Sequence, residues 1–274
     1  MFDGKNIMIT GGSSGVGRVL AERFIKRGAN LILIARDKNK LNRVQKELDD
    51  ISQSHRQIHV FTCDVADHLS VQKTISESVD ESGIPDILIN SAGILRESYF
   101  ENQSLDTFRE VMDINFFGTL HMIKAVLPFF RQKKEGRIVN ICSMAGLMGV
   151  FGYTAYCSSK HAIAGLTSAL RAELKPQNVR IHLVCPPEFE SPMVDEINKN
   201  RTYENKTIAH TIPVLSMDVV ADAVIKGIEK DQYEIIPGWP AKVISRIDKM
   251  FPSITRTISD FRIRSVYKGP VSKG

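Results

Sequence analysis

Short apolar runs rich in β-branched residues alternate with longer amphipathic stretches almost from end to end of the chain, and this alternation constrains the fold most. NIMIT, NLILIA and ILIN carry apolar side chains on successive positions, as strands buried on both faces of a parallel sheet do, and the stretches between them are long enough to be crossover helices. The pattern predicts seven strands, near Asn6 to Thr10, Asn30 to Ala35, Gln57 to Asp64, Ile87 to Asn90, Arg137 to Ser143, Arg180 to Cys185 and Tyr233 to Pro237. Helices are predicted over Gly15 to Arg27, Lys38 to Ser52, Ser70 to Ser82, Leu105 to Lys133, Tyr153 to Lys175 and Met217 to Lys230. The fold class is α/β, a doubly wound parallel sheet of about seven strands with helices on both faces. At 274 residues such a sheet forms one unit, so the expectation is a single domain over 1–238 with an extension over 239–274.

Two segments break the rhythm. Pro187 to Ile212 contains the polar run NKNRTYENK and is longer than a structural connection requires. After Gly238 the chain turns basic, with Lys242, Arg246, Lys249, Arg256, Arg262, Arg264, Lys268 and Lys273 against Asp248 and Asp260. Since the whole chain carries +5, the remainder is about neutral. No nucleic-acid reading module accompanies the charge, so nucleic acid is not an expected partner. The basic segment reads as a solvated helix and tail, with peripheral contact at an anionic membrane surface as the sharper alternative. Cys63, Cys142, Cys157 and Cys185 are widely spaced, without a CxxC pair or a histidine at ligand spacing, so no metal site or disulfide framework is expected. With no apolar targeting run at the start, the expected location is cytoplasmic, peripheral at a membrane if the tail docks there.

The first strand runs into Thr10-Gly11-Gly12-Ser13-Ser14-Gly15-Val16-Gly17 and then an amphipathic helix. Such a turn lets backbone approach a pyrophosphate, and the helix N-terminus offers free N–H groups and a favourable dipole, which makes the sheet Rossmann-type. Arg36 follows the second strand where an NAD site would place an acid; an arginine there suits a 2′-phosphate, and Ala35 leaves room for it. Asp37 is read as a helix cap. Cys63-Asp64-Val65 and Asn90-Ser91-Ala92-Gly93 end the third and fourth strands at the same edge. Asp64 could accept from an adenine amino group, and Ala92 and Gly93 let a cofactor pass close to the backbone. NADP(H) is the expected cofactor.

Ser143 closes the fifth strand and Tyr156-Cys157-Ser158-Ser159-Lys160 opens the next helix. A spacing of four puts Tyr156 and Lys160 on one face, about one turn apart. Reducing a ketone requires a proton donor to oxygen, and a phenol of pKa about 10 needs a neighbouring cation to work as acid and base near neutrality. Lys160 is that cation in this reading, and Ser143 donates to the developing oxyanion.

Taken together, TGGSSGVG, Asp64, NSAG, Asn115, Ser143, YCSSK and the proline-rich turn after Val184 stand in the order and spacing of the short-chain dehydrogenase/reductase family, which the chain resembles over nearly its whole length. The resemblance implies that Tyr156 is the general acid/base, that Lys160 lowers its pKa and holds the nicotinamide ribose, that Ser143 orients the substrate and that Asn115 anchors a proton-relay water. It also implies cofactor contacts from Gly11, Ser13, Ser14, Gly15, Val16, Gly17, Arg36, Asp64, Val65, Asn90, Ala92, Gly93, Tyr156, Lys160 and Pro186. Two departures stand out: Ser91 replaces the family's usual asparagine, and Pro186-Pro187 replaces its Pro-Gly. The turn PPEFESP with the polar stretch after it resembles the 3-ketosphinganine reductase branch, which reduces a long-chain amino ketone with NADPH.

Met144 to Gly152 and Ile94-Leu95 are apolar and would border the reacting centre, with Met193, Val194 and Ile197 as a closing lid. The expected reaction is NADP(H)-dependent reduction of a hydrophobic ketone, first a long-chain 3-keto lipid. Another apolar carbonyl (steroid, acyl thioester or xenobiotic) is the alternative, and a non-catalytic NADP(H) sensor is the reading from a different class. Ala162, Ala164, Gly165, Ala169 and Ala172 give the helix after Tyr156 a stripe of small residues, and by analogy with the family a homodimer or homotetramer is expected.

Overall fold

The computed structural model describes residues 1–52, 56–209 and 211–268. Seven parallel strands, β1 (Asn6–Thr10), β2 (Asn30–Ala35), β3 (Ile58–Thr62), β4 (Ile87–Asn90), β5 (Gly136–Ile141), β6 (Val179–Val184) and β7 (Glu234–Ile235), form one sheet in the order β3-β2-β1-β4-β5-β6-β7. The order reverses between β1 and β4, and in open parallel sheets a ligand crevice lies outside the carboxyl ends at that point. β4 is buried along its whole length. Burying an isoleucine or leucine fully is worth about 1.5–3 kcal/mol, and Ile7, Ile9, Leu31, Leu33, Leu88 and Ile89 are each completely buried.

Helices α1 (Gly15–Ile25), α2 (Lys38–Ile51), α3 (His68–Ser82), α4 (Leu105–Met112), α5 (Gly118–Lys133), α6 (Thr154–Leu174), α7 (Pro192–Asn198), α8 (Tyr203–Ala209), α9 (Met217–Glu229), α10 (Trp239–Met250) and α11 (Pro252–Lys268) follow in chain order. One apolar core packs Leu20, Phe24, Leu41 and Val224 on one face of the sheet, and a second packs Ile75, Met122, Val126 and Phe130 on the other. Asp37 caps α2 by accepting from the backbone N–H of Lys40, as expected.

Three elements differ from expectation. The helix predicted over Leu105 to Lys133 is continuous in direction but passes through a π-helical turn at Asp113–Phe117 between α4 and α5. The stretch Pro187 to Ile212, read as a long connection, contains α7 and α8. β7 spans only two residues rather than Tyr233 to Pro237, because it is an edge strand that pairs with Leu183 and Val184 alone. The basic segment forms α10 and α11, and Lys273 lies outside the described residues. All four cysteines are free thiols. Among the described residues, no helix is long and apolar enough to cross a membrane.

Candidate active site

A cavity of about 410 Å³ opens at the carboxyl edge of the sheet, bounded by the glycine turn, the β4 end, Ser143, Tyr156, Lys160, the Pro186-Pro187 turn and α7. Its nucleotide side is set by two backbone turns held in contact. The Thr10 hydroxyl, buried at the end of β1, accepts from the N–H groups of both Ser91 and Ala92 at 3.0 and 3.1 Å. Gly11 then approaches the Ala92 backbone so closely that a Cβ would sit 3.0 Å from it. Thr10 was read only as part of the motif; its role depends on the β1–β4 register, which residue spacing alone does not reveal.

Gly15 has φ of 53°, with open space where a side chain would stand, and Ser14 leaves the first-turn N–H groups of α1 without a side-chain cap. A Cβ on Gly17 would lie 2.5 Å from the Gly11 carbonyl oxygen, so that position serves helix-to-turn packing. A dinucleotide pyrophosphate fits this cradle: free donors, a helix dipole and no Cβ in the way. Arg36 is exposed beyond β2 and makes no ion pair with another described residue. Asp64 accepts from the Ala66 N–H at 3.0 Å. Of the expected cofactor residues, Gly11, Ser14, Gly15, Val16, Ala92, Gly93, Tyr156, Lys160 and Pro186 line the cavity. Ser13, Arg36, Asp64 and Val65 lie outside its lining, on the turns that follow β1, β2 and β3, and Gly17 lies outside it in the first turn of α1.

Asn90 is placed differently. Its amide donates to Asn140 Oδ1 at 2.8 Å, and Asn140 donates in turn to the Thr167 hydroxyl at 2.9 Å, all inside the core. The Asn90 amide nitrogen is thereby used in the core, while Asn90 Oδ1 is buried without a partner among the described residues. Asn115 sits in the π-helical turn, where its Oδ1 accepts from the Ile94 N–H at 2.8 Å and its amide donates to the Ile94 carbonyl and to Ser159 Oγ. Every polar atom of that side chain is used, so the expected anchoring of a relay water falls to the Asn115 carbonyl, which already accepts from the Thr119 hydroxyl at 2.8 Å. The Ser159 hydroxyl donates to the Tyr156 carbonyl at 2.8 Å. Asn115 therefore ties the β4 loop to the start of α6, and π-helical turns often mark such sites.

Tyr156 and Lys160 share one face of α6 and both are buried. The Lys160 ammonium lies 5.5 Å from the Tyr156 ring centroid and donates to the Ile141 carbonyl at 2.9 Å. Ser143 and Tyr156 both line the cavity, and the Ser143 hydroxyl accepts from the Ala145 N–H at 3.1 Å. Burial dominates the electrostatics. It pushes the Tyr156 phenol well above its ordinary value, with neighbouring Ser143 pulling the other way, and it pushes the Lys160 ammonium below its usual range. Loss of solvent is the largest influence on both groups, and the Lys160 ammonium stands close to the phenol ring.

Met193 and Val194 on α7 line the cavity, and Ile197 packs with Leu95, Tyr153 and Tyr156. Two features of the site are not anticipated from the sequence, one behind the cavity wall and one in it. Arg201, from the polar run, makes a buried two-pronged pair with Glu188 at 2.9 and 2.5 Å and also donates to Asn205 Oδ1. Nothing local in the sequence singles it out. Ile244, Ile247, Ile254 and Ile258 of α10 and α11 form the far wall, and their helical spacing was a visible signal.

A model of the short chain dehydrogenase family matches residues 5–202. The 3-dehydrosphinganine reductase of Danio rerio is 36% identical over 227 residues, covering 82% of this chain and 68% of that protein. The 3-ketodihydrosphingosine reductase of Bos taurus is 35% identical over 246 residues, covering 89% of this chain and 74% of that protein. Among solved structures, a short-chain dehydrogenase from Sphingobium yanoikuyae in complex with NADPH superposes with a TM-score of 0.77 at 28% identity, covering 93% of this chain and 95% of the other.

Proposed function

The chain belongs to the short-chain dehydrogenase family and is an oxidoreductase acting on CH–OH and C=O groups; from that premise we propose that it reduces a long-chain 3-keto lipid of the sphingoid type with NADPH. The observation that carries the substrate class is the apolar cavity, which runs from Ser143 and Tyr156 past Met148 and Met193 to the isoleucines of α10 and α11. A sphingoid ketone has a polar head at the reacting carbon and a saturated chain to bury, which is the polarity of this cavity. The sphinganine-type reductases named above support the same class.

A nicotinamide cofactor bound in the cradle supplies the hydride. The protein's own part is positional and protic. Ser143 and Tyr156 both line the cavity, where a substrate carbonyl oxygen would accept from the two hydroxyls. Tyr156, held protonated by burial, is the proton donor to the forming alkoxide. Lys160, fixed by the Ile141 carbonyl, places positive charge behind the phenol and stabilises the phenolate left after transfer. Ser159 and Asn115 hold Tyr156 and the β4 loop at a constant separation. Arg36 and Ala35 support a 2′-phosphate, and hence NADPH over NADH.

The test is NADPH oxidation by the purified protein with 3-ketosphinganine, medium-chain ketones, a 3-ketosteroid and an acyl thioester, with NADH and Tyr156→Phe as controls. Turnover of the sphingoid ketone that vanishes in Tyr156→Phe bears out the reading. Turnover only of another carbonyl keeps the chemistry and discards the substrate, and silence throughout favours a nucleotide sensor.

A further inference from the structure

Helices α10 and α11 expose apolar side chains where a soluble protein would expose polar ones. Of the 17 large hydrophobic residues exposed among the described residues, nine fall between Trp239 and Tyr267. Trp239 is 76% exposed, Met250 69% and Phe261 74%. Their spacing is orderly: Trp239, Val243, Ile247 and Met250 share one face of α10, and Lys242 and Arg246 stand on the adjacent face. On α11, Ile254, Ile258 and Phe261 share a face with Arg264 beside it. Lys242, Arg246, Arg256 and Arg264 make no ion pair with any described residue, whereas Lys249 is held by Glu234. The hairpin is anchored from behind, since Ala241 and Ser245 are buried and Arg262 donates to the Thr211 hydroxyl at 2.9 Å.

We propose that the α10–α11 hairpin is a membrane-docking surface that lies on an anionic phospholipid bilayer with its apolar stripe among the acyl chains. The occupant is identified by the pairing of features. An apolar face flanked by unpaired cations on short helices is the composition of an interfacial helix, and Trp239 is a residue suited to the headgroup boundary. α10 and α11 have 12 and 17 residues and neither can span a bilayer. The same hairpin reaches the active site. Ile247, Ile254 and Ile258 are partly solvent-exposed and also line the cavity, so the apolar wall continues from Tyr156 out to the docking face. A lipid substrate enters between α10 and α11 without crossing water; that last step rests on the long-chain ketone reading, whereas docking rests on the surface alone.

The test is co-sedimentation of the full chain with vesicles of phosphatidylcholine alone or with phosphatidylglycerol added, at low and raised salt. The wild-type chain sediments with the anionic vesicles, less so in raised salt and much less with the neutral ones. Each basic residue at such a surface contributes about 1 kcal/mol, so Lys242→Glu/Arg246→Glu weakens binding by roughly tenfold or more. Trp239→Ser/Met250→Ser/Phe261→Ser weakens it as well, and both variants melt at the wild-type temperature. Sedimentation independent of anionic lipid, or variants that bind like the wild type, overturns the proposal. So does a concentration-dependent dimer that the apolar variant abolishes, which would assign the face to a second copy of the chain. Delivery is read separately, with the long-chain ketone supplied in vesicles or in detergent micelles. The charge-reversed variant loses rate only on the vesicle form. If the wild type reduces the ketone in neither form, the substrate reading falls while vesicle binding still decides docking.

Discussion

Tyr156 is buried against Ser143, Tyr153 and Lys160, and the loss of solvent raises its pKa. A raised phenol stays protonated through neutrality, so carbonyl reduction, which consumes that proton, should hold a constant kcat/KM from about pH 6 to 9 and fall only under more alkaline conditions. Alcohol oxidation needs the phenolate and should rise with pH over the same range. A flat profile for oxidation would contradict this assignment. Tyr156→Phe removes the donor without changing volume, and a general acid contributes about 10²–10⁴-fold; kcat should fall by that factor while NADPH still quenches or shifts fluorescence as in the wild type. At Arg36, replacement by alanine removes a charge-assisted contact worth about 1.5–3 kcal/mol. The ratio of kcat/KM for NADPH over NADH should drop by about 10- to 100-fold, measured with one ketone under both cofactors.

At the level of elements, two charged side chains hold segments together. Asp86, just before β4, accepts from Lys133 of α5 at 2.6 Å, from the Asn6 N–H at 2.9 Å and from Lys5 at 3.0 Å. Burial opposes its ionisation, but these donors outweigh it and the carboxyl lies below its ordinary value of 3.8. A depressed carboxylate contributes stability above its unfolded pKa and loses it as pH falls through the folded value. Asp86→Asn should therefore cost about 1–3 kcal/mol at pH 7 and progressively less below pH 4, as urea melts at a series of pH values would show. Arg201 links α7 and α8 to Glu188 of the cavity wall through its bonds to Asn198, Asn205 and Glu188. Removing one member of a buried pair leaves the other charge uncompensated, at about 3–5 kcal/mol. Arg201→Ala should lower the melting temperature and raise KM for an apolar ketone more than it lowers kcat, whereas a change confined to kcat would place Arg201 in the chemistry instead.

Across the whole molecule, stability is graded. β1, β4 and β5 lie inside the sheet with helices on both faces, while α11 has no fully buried residue among those described. Amide hydrogen exchange should therefore be slowest in β1, β4 and β5 and fastest in α11, with anionic vesicles slowing the α10–α11 amides alone. β1, β2 and β4 end where their residue patterns predict, because a strand buried on both faces needs an unbroken apolar run and such runs stop at glycine or polar residues. Tyr156, Lys160 and Ser143 were legible for a related reason: their spacing on one strand end and one helix turn is local geometry. α7 and α8 were not, since the polar side chains that hold them, Arg201, Glu204 and Asn205, are satisfied by Glu188, Tyr99 and Phe151, partners brought near only by the fold. The amino-acid sequence by itself determined the sheet, the glycine turn at the end of β1 and the grouping of Ser143, Tyr156 and Lys160, all of which follow from periodicity and short spacings. Only the tertiary structure decided that Asn115 spends its side chain on the β4 loop, that Tyr156 and Lys160 are buried together, and that α10 and α11 line the cavity. Those outcomes depend on which distant groups share a space from which water is excluded, and solvent exclusion is a property of the packed molecule.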